Sequence, residues 1–484
     1  MTMPDDRWVR WLLVPAIVFI SQATNDAYLV DYYHHLARGR EIVQRGELLD
    51  FDIFTYTVPG TPFLDVNWLT QIVYYKLDTW GGLGLVRTVN ALLLAGAWLW
   101  IVAICRRVSG SLEIAMALGL ATFLGSWQVL TIRPQTVSIL LFVGLYDVLL
   151  RAEKDLRWLA VTPLFLALWA NVHGAFPAGL MLIGMFTAGR VFALLPGGAL
   201  QVGCWLAACI AAAGATLVNP YGWEIYIYAQ HTSGISAARR IDEWLPPSWD
   251  QGIGVAWFVS LPVVIVILGW SWSKGRRVSW RDAFLLLCFG FLAARSIRMV
   301  VWWLIIIAPM LSVRLADFWP RSRQVAYPPN RGALFTVIGL LAFCVVSLPP
   351  LHALNPILRF RGQDETTANL EKAYQRITAR EEKGKIFTKL EWGEYLGWRG
   401  SPNWKVFMDG RIEIYPDEVW DEYTRITKGA AIRVADYLMI DAEFHGRTGL
   451  MGWLANAGGW EEIGRDGKVV TFVRKQSAVA PLQK

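Results

Sequence analysis

Of 484 residues, 55% are hydrophobic and 18% charged, with 26 Trp. A soluble chain of this length normally carries more charge, so the composition places the protein in a bilayer. The net charge of +7 does not point to nucleic acid, because Lys and Arg sit in short loops between apolar runs and no basic stripe interleaves with exposed aromatics.

Apolar runs of spanning length number about eleven, and several are short enough to be tilted, broken or partly inserted. They fall near 8–23, 82–104, 113–131, 135–150, 156–172, 175–194, 201–218, 253–272, 281–296, 299–316 and 332–350. The first is read as a retained span and not a cleaved signal, because Asp5 and Asp6 offset Arg7 and Arg10 and no small-x-small site follows. The five cysteines, Cys105, Cys204, Cys209, Cys288 and Cys344, all lie in or beside these runs and read as packing residues, not as disulfides or metal ligands.

With a cytoplasmic amino terminus, Arg106-Arg107, Arg151, Lys154, Arg157, Arg190, Lys274-Gly275-Arg276-Arg277, Arg314, Arg321 and Arg323 all fall on the inner side, as the positive-inside rule requires. The first loop, about 24–81, and the tail after Leu351 then face outward. So do the polar turns Arg133-Pro134-Gln135, Asn171-Val172-His173-Gly174, Asn219-Pro220-Tyr221-Gly222 and Arg295-Ser296-Ile297-Arg298. In the long loop after Gly222, Trp223 to Gln230 reads as an interfacial helix, and Ile241-Asp242-Glu243-Trp244 brings two acids back toward the surface. The expected organisation is a membrane domain over 1–351, including the acidic first loop, and a small extracytoplasmic α/β domain over 352–484. In the tail, Ala368 to Glu382, Asp417 to Thr427 and Gly449 to Ala457 read as helices. Strands are expected at Lys385–Phe387, Lys405–Met408, Tyr437–Ile440 and Val469–Val473.

The first loop carries Asp26, Asp31, Asp50 and Asp52. Leu36, Ala37, Arg40 and Val43 have helical spacing, which puts Asp31 at the start of an amphipathic helix. A carboxylate there can take a proton from an incoming hydroxyl, or it can simply cap the helix. Asp26 either shares that site or marks the water interface; Asp50 and Asp52, in a turn, read as solvated. Arg133, Arg295 and Arg298 run against the positive-inside trend. Each is a phosphate clamp, through the guanidinium fork, or a side chain that snorkels to headgroups. His173 and Asn171, closing a span, either bond a sugar or phosphate or satisfy the carbonyls of a helix end. No phosphate-binding loop, nucleophile-elbow serine or dinucleotide glycine fingerprint is present.

These residues resemble the GT-C superfamily of polytopic glycosyltransferases, which use polyprenyl-phosphate-linked sugars. The branch most similar includes protein mannosyltransferases, lipid A aminoarabinose transferases and the bacterial RgtA/B/C/D-like proteins. Asp31, His35, Ala37-Arg38, Arg40-Glu41 and Gly46 match the register of that branch's first outer loop, which implies Asp31 as catalytic acid residue with Asp26 as fallback. Where the branch often has an Asp-Glu pair, this chain has Asp31-Tyr32. A less studied bacterial group looks similar over nearly the whole length. That likeness runs through Asp52-Ile53-Phe54-Thr55-Tyr56-Thr57, Trp68-Leu69, Arg133-Pro134-Gln135, Trp169-Ala170-Asn171-Val172-His173-Gly174 and Asn219-Pro220-Tyr221-Gly222. It continues in Glu243-Trp244, Glu391-Trp392-Gly393 and Asp409-Gly410-Arg411.

The resemblance implies an inverting hexosyl- or pentosyltransferase of a bacterial plasma (inner) membrane, multi-pass, with its site on the extracytoplasmic side. Asp31 or Asp26 would be the base, with Arg133, Arg295 and Arg298 on the donor phosphate. His35, Asp52, Gln135, Asn171, His173 and Glu243 would contact substrate. The implied partners are a polyprenyl-phosphate-linked sugar, a glycan, lipid or protein acceptor, and membrane lipids. No metal ligands and no cofactor are assigned, and a divalent metal is compatible with the resemblance. A transporter or flippase for lipid-linked saccharides, or a non-catalytic assembly protein, is the alternative; the absence of a sequence repeat and the one-sided polar groups favour the enzyme.

Overall fold

The computed structural model describes residues 6–25, 31–194, 197–239, 241–318, 331–354, 365–432 and 434–475. Asp26, one of the two expected catalytic acids, lies outside them. The chain forms two compact units, residues Met1–Asn25 with Leu77–Arg359, and Asp26–Lys76 with Phe360–Lys484.

The first unit is helical: α1 (Asp6–Ala23), the greater part of α3 (Trp68–Ser109), α4 (Leu112–Ser126), α5 (Gln135–Ala152), α6 (Thr162–Val172), α7 (Phe176–Leu194), α8 (Ala199–Ala215), α9 (Glu224–Ala238), α10 (Gly252–Ser273), α11 (Trp280–Arg295), α12 (Val300–Leu315) and α13 (Arg331–Val346). Every expected apolar run coincides with one of these helices, in four cases together with residues of an adjoining 3-10 turn. Among the described residues six helices are long and apolar enough to cross a membrane, as in a multi-pass membrane protein, and three further apolar helices are shorter. This is fewer than the eleven runs, because the others are shorter than a full span or carry charges in their end turns.

Burial sorts the helices by composition. α12 is apolar on nearly every face, and 83% of its most apolar stretch is buried, as expected of a helix at the centre of a bundle. α10 is just as apolar, yet only 22% of it is buried, and Val259, Ile265 and Val266 lie exposed. That is the surface a bilayer would cover. Trp257 of α10 and Trp303 of α12 meet edge to face at 5.2 Å in the core between them.

In the second unit the first loop supplies α2 (Tyr32–Arg45) and the start of α3. The tail supplies α14 (Glu365–Thr378), α15 (Leu390–Gly400), α16 (Asp417–Thr427), α17 (Ala442–Thr448) and α18 (Leu450–Asn456). Its five strands are β1 (Gly384–Thr388), β2 (Trp404–Val406), β3 (Tyr437–Asp441), β4 (Trp460–Asp466) and β5 (Val469–Arg474). They form one sheet in the order β2-β1-β3-β5-β4, in which β1 is parallel to β2 and β3, while β5 is antiparallel to β3 and β4. β4 and α15 were absent from the sequence reading. Trp460-Glu461-Glu462 alternates weakly, and the glycines of α15 disguise its helical period.

The sequence reading grouped the first loop with the membrane helices, but its packing groups it with the tail. Ala37, Ile42, Leu49, Phe54, Val58 and Phe63 share one core with Phe387, Phe407, Leu438, Ile440 and Phe472. Val406 N donates to Phe54 O and Tyr56 N donates to Val406 O, both at 3.1 Å, so the loop covers the β2 edge of the sheet. The loop is also held by charge. Arg411, 2% exposed, donates through Nε to both oxygens of Asp409 at 3.0 Å and pairs with Asp52 through Nη2. Its guanidinium lies 5.2 Å from the ring centres of both Phe54 and Phe63. Asp52 also accepts from Thr55 N at 3.1 Å and Thr55 Oγ1 at 2.8 Å.

Removing one member of a buried charge group leaves the others uncompensated, which costs about 3–5 kcal/mol. Arg411→Ala is therefore expected to make both the first loop and the tail sensitive to limited proteolysis in the detergent-solubilised protein. Arg411→Lys should recover only part, since an ammonium cannot serve two carboxylates as the fork does. Burial pushes the Asp409 carboxyl up, but Arg411 and the Tyr415 hydroxyl outweigh it and hold it below the ordinary carboxylate range. The stability it contributes is present above about pH 4 and lost as the pH falls below that, so an acid titration of proteolytic resistance should shift upward in Tyr415→Phe.

Candidate functional site

Among the described residues, each unit holds a group of polar side chains with the chemistry of a site. In the membrane unit, α4 ends in a 3-10 turn, and Arg133-Pro134 then opens α5, with Pro134 at φ −53° in the pre-helical position. The loop Asp242–Trp244 is tied to the turn before α12: Ser296 Oγ donates to Glu243 O at 3.0 Å, and Ile297 N donates to Leu245 O at 2.9 Å. These bonds set Glu243 against Arg133 as an ion pair and lay the Arg298 guanidinium 4.7 Å from the Trp244 ring centre. His173 follows the last turn of α6. Its Nδ1 lies 2.7 Å from Ser138 Oγ, which accepts from Trp169 Nε1 at 2.7 Å. Ser138 can thus donate its own proton to Nδ1, an assignment that leaves Nε2 as the N–H. Burial and the charges of Arg298 and Arg133 push the imidazole down to about 3, so it is neutral at physiological pH. Burial pushes Glu243 up, but Arg133 and Arg298 outweigh it and hold the carboxylate ionised.

Arg133, Arg298, His173 and Glu243 are therefore brought together. Two guanidiniums, one carboxylate and a neutral imidazole leave net positive charge at the ends of apolar helices, which suits an anionic oxygen cluster. The remaining expected residues of this unit are placed differently. Arg295 is exposed at the last turn of α11. Gln135 is buried in the first turn of α5. Asn171 donates to Ala167 O at 2.8 Å and Val218 O at 2.7 Å, satisfying helix-end carbonyls, the structural role weighed for it.

In the second unit Asp31 stands at the N-cap of α2, yet its side chain makes no capping bond. Its neighbours are His34, one turn on, and Glu394 of α15; one donor atom from each of the three lies within 4.8 Å of the others. His34 Nδ1 is 3.1 Å from Glu394 Oε1. Among the described residues this is the one group of three His, Cys, Asp or Glu side chains so disposed. His35 is 3% exposed and contacts Gln71 Nε2 at 3.4 Å, inside the core. Sequence spacing could not choose between the two histidines, since both i+3 and i+4 follow Asp31 on one face. Glu394 was missed as well; its sole signal was its place after Glu391-Trp392-Gly393. Asp52, expected at substrate and with its loop read as solvated, is instead consumed by Arg411.

Over 98% of its length the chain superposes on the apo crystal structure of the Archaeoglobus fulgidus oligosaccharyltransferase, covering 75% of that chain with a TM-score of 0.53 and 11% identity. The chain has a GT-C fold. The same archaeal enzyme, AglB, in complex with an inhibitory peptide and a dolichol-phosphate gives a TM-score of 0.48, again at 11% identity. No family model matches the sequence, and no curated protein matches it.

If the GT-C membrane unit recognises a phosphate through Arg298, farnesyl phosphate binding measured by calorimetry should weaken about tenfold in Arg298→Ala, the loss of one charge-assisted hydrogen bond. Glu243→Gln should tighten it, because the competing carboxylate charge is gone. Binding unchanged in both variants would remove the phosphate assignment.

Proposed function

We propose that the protein is a membrane glycosyltransferase that moves a sugar from a polyprenyl-phosphate-linked donor to an acceptor hydroxyl on the outer face of a bacterial plasma membrane. The observation that carries this reading is the GT-C fold, shared over 98% of the chain with an oligosaccharyltransferase. The cationic cluster in the membrane unit and the acid at the start of α2 supply the chemistry such a reaction needs.

In this reading the acceptor oxygen attacks the anomeric carbon as the bond to the donor phosphate breaks. The acceptor proton passes to Asp31, half-buried at the start of α2, as general base. The leaving group departs as a phosphate monoester anion. Its low basicity removes the need for a general acid, and Arg133 and Arg298 stabilise the charge it gains. His173, neutral, donates a hydrogen bond without adding charge. A single displacement of this kind inverts the anomeric centre. The acceptor is a glycan, lipid or protein hydroxyl, and the donor sugar a hexose or pentose.

Asp31→Asn keeps the shape of the side chain and removes its basicity. Sugar transfer in membranes should fall about a hundred- to ten-thousand-fold. In a strain carrying only that variant, mass spectrometry should show the surface glycan lacking one sugar and the lipid-linked donor accumulating. Wild-type glycan from a stably folded Asp31→Asn protein would end the catalytic assignment. An intermediate trapped on the cytoplasmic leaflet in a deletion strain would replace transfer with flipping.

A further inference from the structure

Asp31, His34 and Glu394 have a geometry that one carboxylate acting as a base does not require. We propose that these three side chains hold one divalent first-row transition ion, of the manganese or zinc class. This deepens the reading of Asp31 as the acidic centre of the second unit.

The spacing suits an ion. Metal–nitrogen and metal–oxygen bonds of about 2.0–2.2 Å put adjacent ligand atoms roughly 2.9–3.5 Å apart. His34 Nδ1 and Glu394 Oε1 stand 3.1 Å apart, and the Asp31 donor lies within 4.8 Å of both. To complete the set, the Asp31 carboxylate must come nearer than that 4.8 Å bound to the spacing of adjacent ligands. One nitrogen and two carboxylates leave positions for water or substrate oxygen, the open coordination of a working site. An imidazole among the donors favours manganese or zinc over magnesium or calcium.

The scaffold holds the donors in place. Asp31 and His34 are three apart on the first turn of α2, so they share a face. Glu394 is 1% exposed, and its position depends on Gly410: a Cβ built there would come within 1.9 Å of Glu394 Oε1. The glycine of Asp409-Gly410-Arg411 thus makes room for this carboxylate. A cavity of about 10 Å³, room for roughly one water or ion, is lined by His34, Arg38, Glu394, Asp409 and Arg411.

The two guanidiniums beside the cavity are already engaged, Arg38 by Asp65 at 3.0 Å and Arg411 by Asp52 and Asp409, so neither is left to oppose an ion there. When bound, the ion would act as a Lewis acid toward a coordinated oxygen.

The test uses the full-length protein in detergent, stripped with chelator and titrated with Mn²⁺, the free ion being read by electron paramagnetic resonance. One ion per chain is expected, with an electron-spin-echo modulation from one histidine nitrogen. His34→Asn should abolish the nitrogen signal and weaken binding at least tenfold. Glu394→Gln should weaken it similarly, and Gly410→Ala should weaken it without changing a ligand. His34 and Asp31 are only half-buried, so their variants stay informative if Glu394→Gln or Gly410→Ala fails to fold. No Mn²⁺ or Zn²⁺ binding above the detergent blank, or wild-type affinity in a folded His34→Asn, overturns the proposal. Because binding is read without donor or acceptor, a protein that takes the ion but transfers no sugar loses the functional reading alone. One that transfers sugar after exhaustive chelation loses this inference alone.

Discussion

A single guanidinium in a dry interior governs the second unit. Arg411 cannot lose its proton, and removing it from water is costly unless carboxylates meet it at short range. Asp409, two residues away, meets half of that need. The other half comes from Asp52, 359 residues distant in sequence. The first loop is therefore no free excursion between two helices. Its turn is held by Asp52, its Phe54 and Phe63 flank the guanidinium, and its backbone extends the sheet at β2. Once those contacts form, the course of α2 is determined, and with it the first turn that carries Asp31 and His34.

The two glycines of the tail motifs follow from the same packing. A Cβ at Gly393 would meet Met408 O at 2.1 Å, and one at Gly410 would meet Glu394. Asp409-Gly410-Arg411 is thus a structural motif in each of its three residues. Its aspartate and arginine neutralise each other, and its glycine clears space beside an acid. Tyr33 reaches the same region, packing edge-on to Tyr395 at 4.8 Å, while Arg40 Nη1 donates to Trp398 O at 3.0 Å. The outer face of α2, which the sequence marks as polar, is in fact occupied by α15.

Local pattern carried much of the fold and less of the site. The eleven apolar runs and most of the tail's strands are visible because burial imposes a period on neighbouring residues. Asp31 was visible because a lone acid opens an amphipathic stretch. The partnership of Asp52 with Arg411 was not, because no local rule links residues that distant. Nor could spacing tell His34 from His35; only the burial of His35 beside Gln71 separates them. Arg133, His173, Glu243 and Arg298 were legible as unusual polar residues at helix ends, but their convergence depends on the bonds from Ser296 and Ile297 that draw the 241–245 loop across.

The pairing of Arg133 with Glu243 in the membrane unit bears on how an anion would be received there. Two guanidiniums at the mouth of apolar helices, with no countercharge, would be expensive to hold without a ligand and would attract any phosphate. Glu243 lowers that cost and sets a threshold: an incoming anion must displace a carboxylate already at contact distance. A phosphate monoester with two negative charges meets that threshold more readily than a diester with one, since attraction scales with charge. A neutral His173 fits the same design. Protonated, it would add a third cation and deepen the well for any anion. Kept neutral by burial and by both arginines, it can donate a hydrogen bond to an oxygen without adding charge to the cluster.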